Sequence, residues 1–417
     1  MKKTITQKIL ESRSGRNSIV PGDIISVNVD GVFSHDVFTP FVIDKFRKLR
    51  KKTVWDNNRI FFIIDHEIPA STEEAGLCYR KMFAFSNEHK ITLHMGDGIC
   101  HQLIPESGYV LPGQVFLGTD SHTVTYGAIG AFATGIGTTE MAYVWATGKI
   151  WLRVPETIKV EISGELREGC SAKDVILYMI RQIKSDGATY KTIEFCGDTI
   201  RNFSMSERFT LCNMSVEMGA KNAIIEPDEK TVEFLKDKVK NDYEIFKSDE
   251  KASYSETLFI NASNIQPMVW SPEGIDNIMP VKEVEGVKVN QVFIGSCTNG
   301  RFEDFEIVAK ILDSKKVKPG VRLIVTPASR AVYEKLIDTG ILKVLSRAGA
   351  IITNPYCGFC MGKNGGRLSE GDICIATNNR NFPGRLGHVK SKVFLASPLT
   401  AAVSAVTGEI TDPRRIL

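Results

Sequence analysis

Short apolar runs, each closed by a polar turn, recur along this 417-residue chain and constrain its architecture more than any other feature. Ile60 to Ile64 is wholly apolar and ends at Asp65-His66. Ile91 to His94 leads into Gly96-Asp97-Gly98 and then His101, and Val115 to Leu117 ends at Asp120-Ser121-His122-Thr123. Brief runs without polar alternation mark strands buried on both faces, as in a parallel sheet covered by helices. Ligand sites in such sheets lie beyond the carboxyl ends of the strands. His66, His101 and His122, which follow these runs, are therefore candidates for chemistry; two of them directly neighbour carboxylates or hydroxyls, and a carboxylate partner would fix the tautomer and favour proton donation. His35, His89, His94 and His388 have no such setting and read as satisfied core or surface residues, His35 least firmly.

The last third repeats the pattern. Strands are predicted over Val289 to Ile294, Val321 to Val325, Ala350 to Thr353, Asp372 to Ala376 and Val393 to Ala396, with helices over Phe302 to Leu312, Ala328 to Leu336 and Ile341 to Ala348. Ser397, Pro398 and Gly408 supply an N-cap, a first-turn proline and a C-terminal stop for a closing helix. If the strands lie parallel, as right-handed crossovers favour, four of them deliver Cys297, Cys357 with Cys360, Arg380 with Arg385, and Ser397 to one rim. In the middle, Thr157 to Ile162 alternates like a strand. Ser171 and Asp174 open a helix with Val175, Ile176, Met179, Ile180 and Ile183 on one face, read as structural. Residues 229–285, charged and broken by Pro267, Pro272 and Pro280, predict a domain edge and linker.

The length exceeds what one core normally serves, so two or three domains are expected. Net charge is +3, with no long basic run, which argues against a nucleic-acid partner. The stretch Lys45 to Lys52 reads as a solvated helix face. No apolar run reaches the ~18 residues of a membrane span, and the charged start leaves no room for a signal peptide. Nine cysteines then point to a reducing, cytoplasmic setting and to metal or catalysis rather than disulfides.

Three of these cysteines form a pattern. Cys297 lies in Gly-Ser-Cys-Thr-Asn-Gly-Arg, and Cys357 and Cys360 lie in Asn-Pro-Tyr-Cys-Gly-Phe-Cys. One lone cysteine plus a Cys-x-x-Cys suits an iron–sulfur cluster with one iron free of protein ligands. A thioredoxin-like motif would open a helix, which Gly362, Gly365 and Gly366 fit poorly. A structural zinc site would want a fourth ligand, and none stands nearby in sequence. The other six cysteines read as small buried residues. Gly127, Gly130, Gly135 and Gly137 lack phosphate-loop spacing and suggest close packing instead. Two arginines in the loop Asn379 to Arg385 suit bidentate carboxylate binding.

Six stretches, in order, resemble the aconitase superfamily, most closely the large subunits of the isopropylmalate isomerase and homoaconitase group. These are Asp65 to Ala70, Gly98 to Gln102, Gly118 to Thr123, Gly295 to Arg301, Cys357 to Cys360 and Asn379 to Arg385. The resemblance implies an α/β fold of three α/β/α domains, here 1–154, 155–284 and 285–417, around a [4Fe-4S] cluster held by Cys297, Cys357 and Cys360. It implies the pairs Asp65–His66, Asp120–His101 and Glu194–His122, with His66 protonating a departing hydroxyl. Arg380 and Arg385 would hold substrate carboxylates, and Asn379 would support the cluster. The family's swivelling fourth domain is expected on a separate small subunit that brings the serine base and selects the side chain. The implied activity is a hydro-lyase moving a hydroxyl on a 2-hydroxy di- or tricarboxylic acid, with leucine biosynthesis the first expectation. Homoaconitase, dimethylmalate dehydratase, a cluster-dependent RNA-binding sensor and a zinc-stabilised scaffold are the alternatives. Two departures adjoin the cluster loop: Phe359 where proline is common, and Lys363-Asn364 after the second cysteine.

Overall fold

The computed structural model describes residues 2–239 and 242–417. Its eighteen strands form three mainly parallel sheets and one antiparallel ribbon. The ribbon pairs β1 (Ile24–Asn28) with β7 (Lys149–Arg153). The first sheet is built from β2 (Gly31–His35), β3 (Ile60–Ile64), β4 (Thr92–Met95), β5 (Val115–Gly118) and β6 (Phe132–Gly135), in the order β4-β3-β2-β5-β6 and parallel throughout. Every residue of β2, β3 and β5 is buried, which accounts for the unbroken apolar runs.

The second sheet, order β10-β9-β8-β11, is also parallel: β8 (Thr157–Ser163), β9 (Thr192–Cys196), β10 (Asn222–Ile225) and β11 (Glu256–Asn261). The helix Ala172–Ile183 connects β8 to β9, is opened by the expected Ser171–Asp174 capping box, and packs against the helix Met205–Met214 and the short strands Met268–Trp270 and Ile278–Pro280. Residues 229–285 are not mainly linker. They hold the helix Glu229–Leu235, the edge strand β11 and two short strands, β12 (Met268–Trp270) and β13 (Ile278–Pro280). The charged, irregular texture arises because β11 is an edge strand with one side in solvent, so its run Glu256–Asn261 mixes polar and apolar residues.

The third sheet has the order β13-β12-β18-β17-β14-β15-β16, adding β14 (Gln291–Gly295), β15 (Arg322–Thr326), β16 (Ile351–Ile352), β17 (Ile373–Ala376) and β18 (Lys392–Leu395). The last five run parallel, as the crossover rule predicts, and β12 joins antiparallel. Since β12 and β13 belong to this sheet, a border near residue 265 divides the sheets better than one at 284. One buried core runs through all three sheets, from Phe33 and Ile63 through Ile158 and Phe195 to Phe293, Cys297 and Cys360. Residues just past the carboxyl ends of strands in the first and third sheets come together around one cavity. The glycine-rich stretch packs closely, as expected: a Cβ on Gly127 would overlap the Ala223 carbonyl oxygen on β10.

Candidate active site

The strand ends meet at a cavity of about 310 Å³ lined by His35, His66, His101, Asp120, His122, the three cysteines, Asn379, Arg380 and Arg385. Each residue arrives by a short route from a strand. β3 stops at Asp65-His66, and β5 stops at Asp120, which caps the 3₁₀ segment Ser121–Ile129 and carries His122 into the cavity. His101 sits in the first turn of the helix Cys100–Glu106 after β4. β14 ends in a sharp turn with φ of 151° at Gly295 and 74° at Ser296, which aims Cys297 inward. A side chain at Gly295 would collide with the Thr326 carbonyl oxygen on β15. Cys357 precedes and Cys360 lies within the 3₁₀ turn Gly358–Met361 after β16, and Asn379 to Arg385 follow β17.

Three histidines are paired with carboxylates. His66 Nδ1 lies 2.7 Å from Asp65 Oδ1. His101 Nε2 lies 2.9 Å from Asp120 Oδ1, and His122 Nε2 lies 2.9 Å from Glu217 Oε1. The first two pairs match expectation, and the third does not. Glu194 lies on β9, where Ile193 and Phe195 face the core. Strand alternation turns Glu194 to the other face, where it accepts hydrogen bonds from Ser248 (2.7 Å) and Tyr254 (2.8 Å). Burial raises its pKa there. Glu217 takes the place expected for Glu194.

The electrostatics differ from pair to pair. Burial pushes the His66 pKa down, but the Asp65 carboxylate, the Cys357 sulfur and hydrogen bonds to Asp36 and Asp65 outweigh it and hold it well above its ordinary value. His35, at the end of β2, stacks on His66 with ring centroids 4.0 Å apart. Burial and the His66 charge lower its pKa to about 4. The stack thus joins a charged imidazole to a neutral one. Both ring nitrogens of His35 and Nδ1 of His101 are buried with no hydrogen-bond partner among the described residues, although both residues line the cavity. His35 thus belongs to the site, contrary to its reading as a satisfied residue.

The cysteines are buried and surrounded by amides. Nδ2 of Asn213 donates to Cys297 Sγ at 3.2 Å, and Nδ2 of Asn378 to Cys360 Sγ at 3.5 Å. Asn379 Nδ2 lies 3.6 Å from Cys297 Sγ and 3.3 Å from Asn213 Oδ1. Burial raises the Cys297 thiol, and it lifts Cys357 to about 11 despite the opposing pull of His66. Thiolates here require compensation, as N–H donors and a metal would provide. A single tetrahedral zinc, with Zn–S near about 2.3 Å, needs its ligands close together. Among the described residues, the sets of possible ligand atoms lying within 4.8 Å of one another are His35/Asp36/Asp65/His66 and His101/Asp120/His122, and neither includes these cysteines. Three separated, amide-ringed sulfurs beside open space fit an iron–sulfur cluster better than one zinc ion.

The remaining candidates ring the cavity. Arg380 donates from Nε to Glu217 Oε1 (2.8 Å) and from a terminal nitrogen to Ser121 Oγ (3.0 Å). Arg385 Nε donates to the Cys360 carbonyl at 2.8 Å. Ser397, expected at the same rim, is not among the residues that line the cavity; it serves as the N-cap of the helix Pro398–Thr407. The two departures have structural explanations. Phe359 packs on Phe293 (centroids 4.1 Å) in the core, and Lys363 and Asn364 bond Glu67 and the Pro69 carbonyl, tying the cysteine turn to the His66 loop. Glu217, Asn213 and Asn378 carry no local motif. Only Asn378, adjacent to Asn379, had a sequence cue.

The model of the Aconitase family (aconitate hydratase) matches residues 7–408. The chain is 49% identical to "3-isopropylmalate dehydratase large subunit 1" of Methanopyrus kandleri, covering 100% of both chains. It is 44% identical to the "Probable 3-isopropylmalate dehydratase large subunit" of Methanothermobacter thermautotrophicus, over 99% of each chain. It is 45% identical to the "Probable methanogen homoaconitase large subunit" of the same organism, over 100% of this chain and 98% of the relative.

Proposed function

The chain belongs to the aconitase family, and we propose that it is the large subunit of a hydro-lyase that converts 2-isopropylmalate to 3-isopropylmalate by dehydration and rehydration, in leucine biosynthesis. The observation that supports the chemistry is the convergence of carboxylate-paired histidines and buried cysteines on one cavity. Full-length identity to proteins named as isopropylmalate dehydratase large subunits supports the substrate.

Cys297, Cys357 and Cys360 would hold a [4Fe-4S] cluster. When bound, the cluster supplies a Lewis acid that polarises the substrate's hydroxyl and a carboxylate. The chain's own residues do the rest. His66, held protonated by Asp65 and Asp36, gives its proton to the departing hydroxyl and takes one back on rehydration; such general acid–base help is worth roughly 10²–10⁴-fold. His101 is fixed through Nε2 by Asp120, and its other nitrogen, Nδ1, orients the leaving water. His122 is held between Glu217 at Nε2 and Asp120 at Nδ1 (3.3 Å) and keeps Asp120 and Arg380's partner Glu217 in place. Arg380 and Arg385 hold the carboxylates, Arg380 kept in line by Glu217 and Ser121. Burial of the pairs excludes bulk water. The names of the relatives imply a small-subunit partner; that partner would close the cavity, bring the base that removes the carbon-bound proton and contact the substrate's side chain. No helix among the described residues is long and apolar enough to cross a membrane, which suits a cytoplasmic enzyme.

The test is anaerobic purification with a candidate small subunit, iron and acid-labile sulfide analysis, and kcat/KM on isopropylmalate and homocitrate. About four irons and four sulfides per chain, with preference for isopropylmalate, support the proposal. Zinc without sulfide refutes it. A preference for homocitrate favours the homoaconitase reading, to which the full-length homoaconitase relative gives weight.

A further inference from the structure

Behind the cysteines lie two buried cations, Lys173 and Arg301, that the reaction above does not use. Lys173 is fully buried although it stands in the first turn of the helix Ala172–Ile183. Its Nζ leaves the second sheet's layer and donates to the carbonyls of Thr377 (2.8 Å) and Asn378 (2.7 Å), just past β17. That turn presents Asn378 to Cys360, Asn379 to Cys297 and Arg380 to the cavity. Arg301, also buried, donates to the Cys297 carbonyl (2.6 Å) and the Thr298 carbonyl (2.8 Å). Arg385 grips the Cys360 carbonyl. Each turn that offers a sulfur or an amide to the cavity wall at Cys297, Cys360 and Asn378 is held through its backbone by a cation.

A lysine buried without an anion is costly, by several kcal/mol in proteins generally. None of Lys173, Arg301 and Arg385 has a side-chain carboxylate within 4.0 Å of its charged nitrogens among the described residues. Burial lowers the pKa of Arg301 and that of Lys173, the latter to about 7, and the carboxylate that most opposes this is Asp304, which itself accepts from the backbone N–H of Arg301 (2.9 Å) and from Asn299 (3.0 Å). The cysteines lie within electrostatic reach of all three cations: Cys360 and Cys297 of Lys173, Cys297 of Arg301, and Cys360 and Cys357 of Arg385. Three thiolates placed there would complete the charge balance.

We propose that Lys173 is a positioning residue for the cluster site: it fixes the Thr377–Arg380 turn from the neighbouring sheet layer and, with Arg301 and Arg385, offsets the negative charge of the cysteine ligands. This rests on the cluster reading above. The positive surround favours the more negative, reduced form of a cluster, so removing one charge lowers its reduction potential.

The test uses the full chain, purified without oxygen, as wild type, Lys173→Gln (donors kept, charge removed) and Lys173→Met (length kept, both removed). A surface control, Lys288→Met, alters an exposed pair with Glu409. Iron and sulfide content, the rate of cluster bleaching by a chelator and the midpoint potential by redox titration are measured. Lys173→Met is expected to bleach at least about tenfold faster. Lys173→Gln is expected to keep its cluster with the one-electron equilibrium shifted about tenfold toward the oxidised form, roughly 59 mV. The control stays at wild-type values. If Lys173→Met does not fold, Lys173→Gln decides alone. A loaded wild type with unchanged potential in Lys173→Gln overturns the inference. A wild type that takes up no iron and sulfide overturns the cluster reading itself, and the inference with it.

Discussion

Replacing Glu217 by glutamine tests the site where structure and expectation part. Its Oε1 accepts from both His122 Nε2 (2.9 Å) and Arg380 Nε (2.8 Å). Glutamine keeps an oxygen in place but removes the charge. Hydrogen bonds to an ionised acceptor are worth about 1.5–3 kcal/mol, roughly twice their neutral counterparts. Two bonds each losing half that value cost about 1.5–3 kcal/mol. If this falls on the transition state, at about 1.36 kcal/mol per factor of ten, kcat/KM drops roughly 10- to 150-fold. The assay is dehydration of isopropylmalate by the two-subunit enzyme, followed by absorbance of the unsaturated product, with iron content measured alongside. Glu194→Gln is the comparison. Its bonds go to Ser248 and Tyr254, away from the cavity, so kcat/KM should stay within about twofold of wild type, with a stability loss of about 1 kcal/mol at most. A Glu194 variant as damaged as the Glu217 variant, at equal iron content, would refute the assignment.

His35→Gln should flatten one limb of the pH–stability curve. A base whose folded pKa, about 4, lies below its ordinary 6.5 loses stability as pH falls through that window, because only the unfolded chain takes up the proton. At about 1.36 kcal/mol per unit, the roughly two units crossed between pH 6.5 and 4.5 amount to about 2.5 kcal/mol, and urea titrations at pH 7 and 4.5 should show wild type losing that much more than the variant. Gly358→Ala would drive a Cβ into the His66 carbonyl oxygen; iron content and activity should both fall, with about 1–3 kcal/mol of stability. Asp228→Asn leaves the buried Arg208 guanidinium without its carboxylate, whose Oδ1 accepts at 2.7 Å. Because Asp228 is itself part-exposed, the expected loss is about 2–3 kcal/mol by urea denaturation, with activity intact below the transition.

The architecture was legible where burial writes itself into composition. Ile60–Ile64 is a strand with the expected bounds, and the helices Phe302–Leu312 and Ile341–Ala348 match their periodicity residue for residue. Strand-end placement then found His66, His101, His122 and the cysteines. What escaped was fixed by packing between layers. Asn213 and Glu217 ride on a helix and a 3₁₀ turn of the second layer and reach the cavity only when the sheets dock. Glu194 illustrates the converse. The alternation Ile193-Glu194-Phe195 already says that its side chain faces away from the core its neighbours fill. His35 escaped because a histidine ending a buried strand looks satisfied until its neighbours are known. In β11, edge exposure hid a strand inside a charged stretch.

The lining of the cavity has a consequence for how such enzymes diversify. Apart from Phe38 and Met361, and the cysteine sulfurs, its walls consist of imidazoles, carboxylates, hydroxyls, amides and guanidinium groups. These are groups that address a hydroxyl and carboxylates, features common to every 2-hydroxy acid of this kind. Under the proposed division of labour, the large chain is a chassis indifferent to the substituent, and selectivity is a property of the assembly. A duplicated small-subunit gene with a reshaped contact would then suffice to found a new activity on an unaltered large chain.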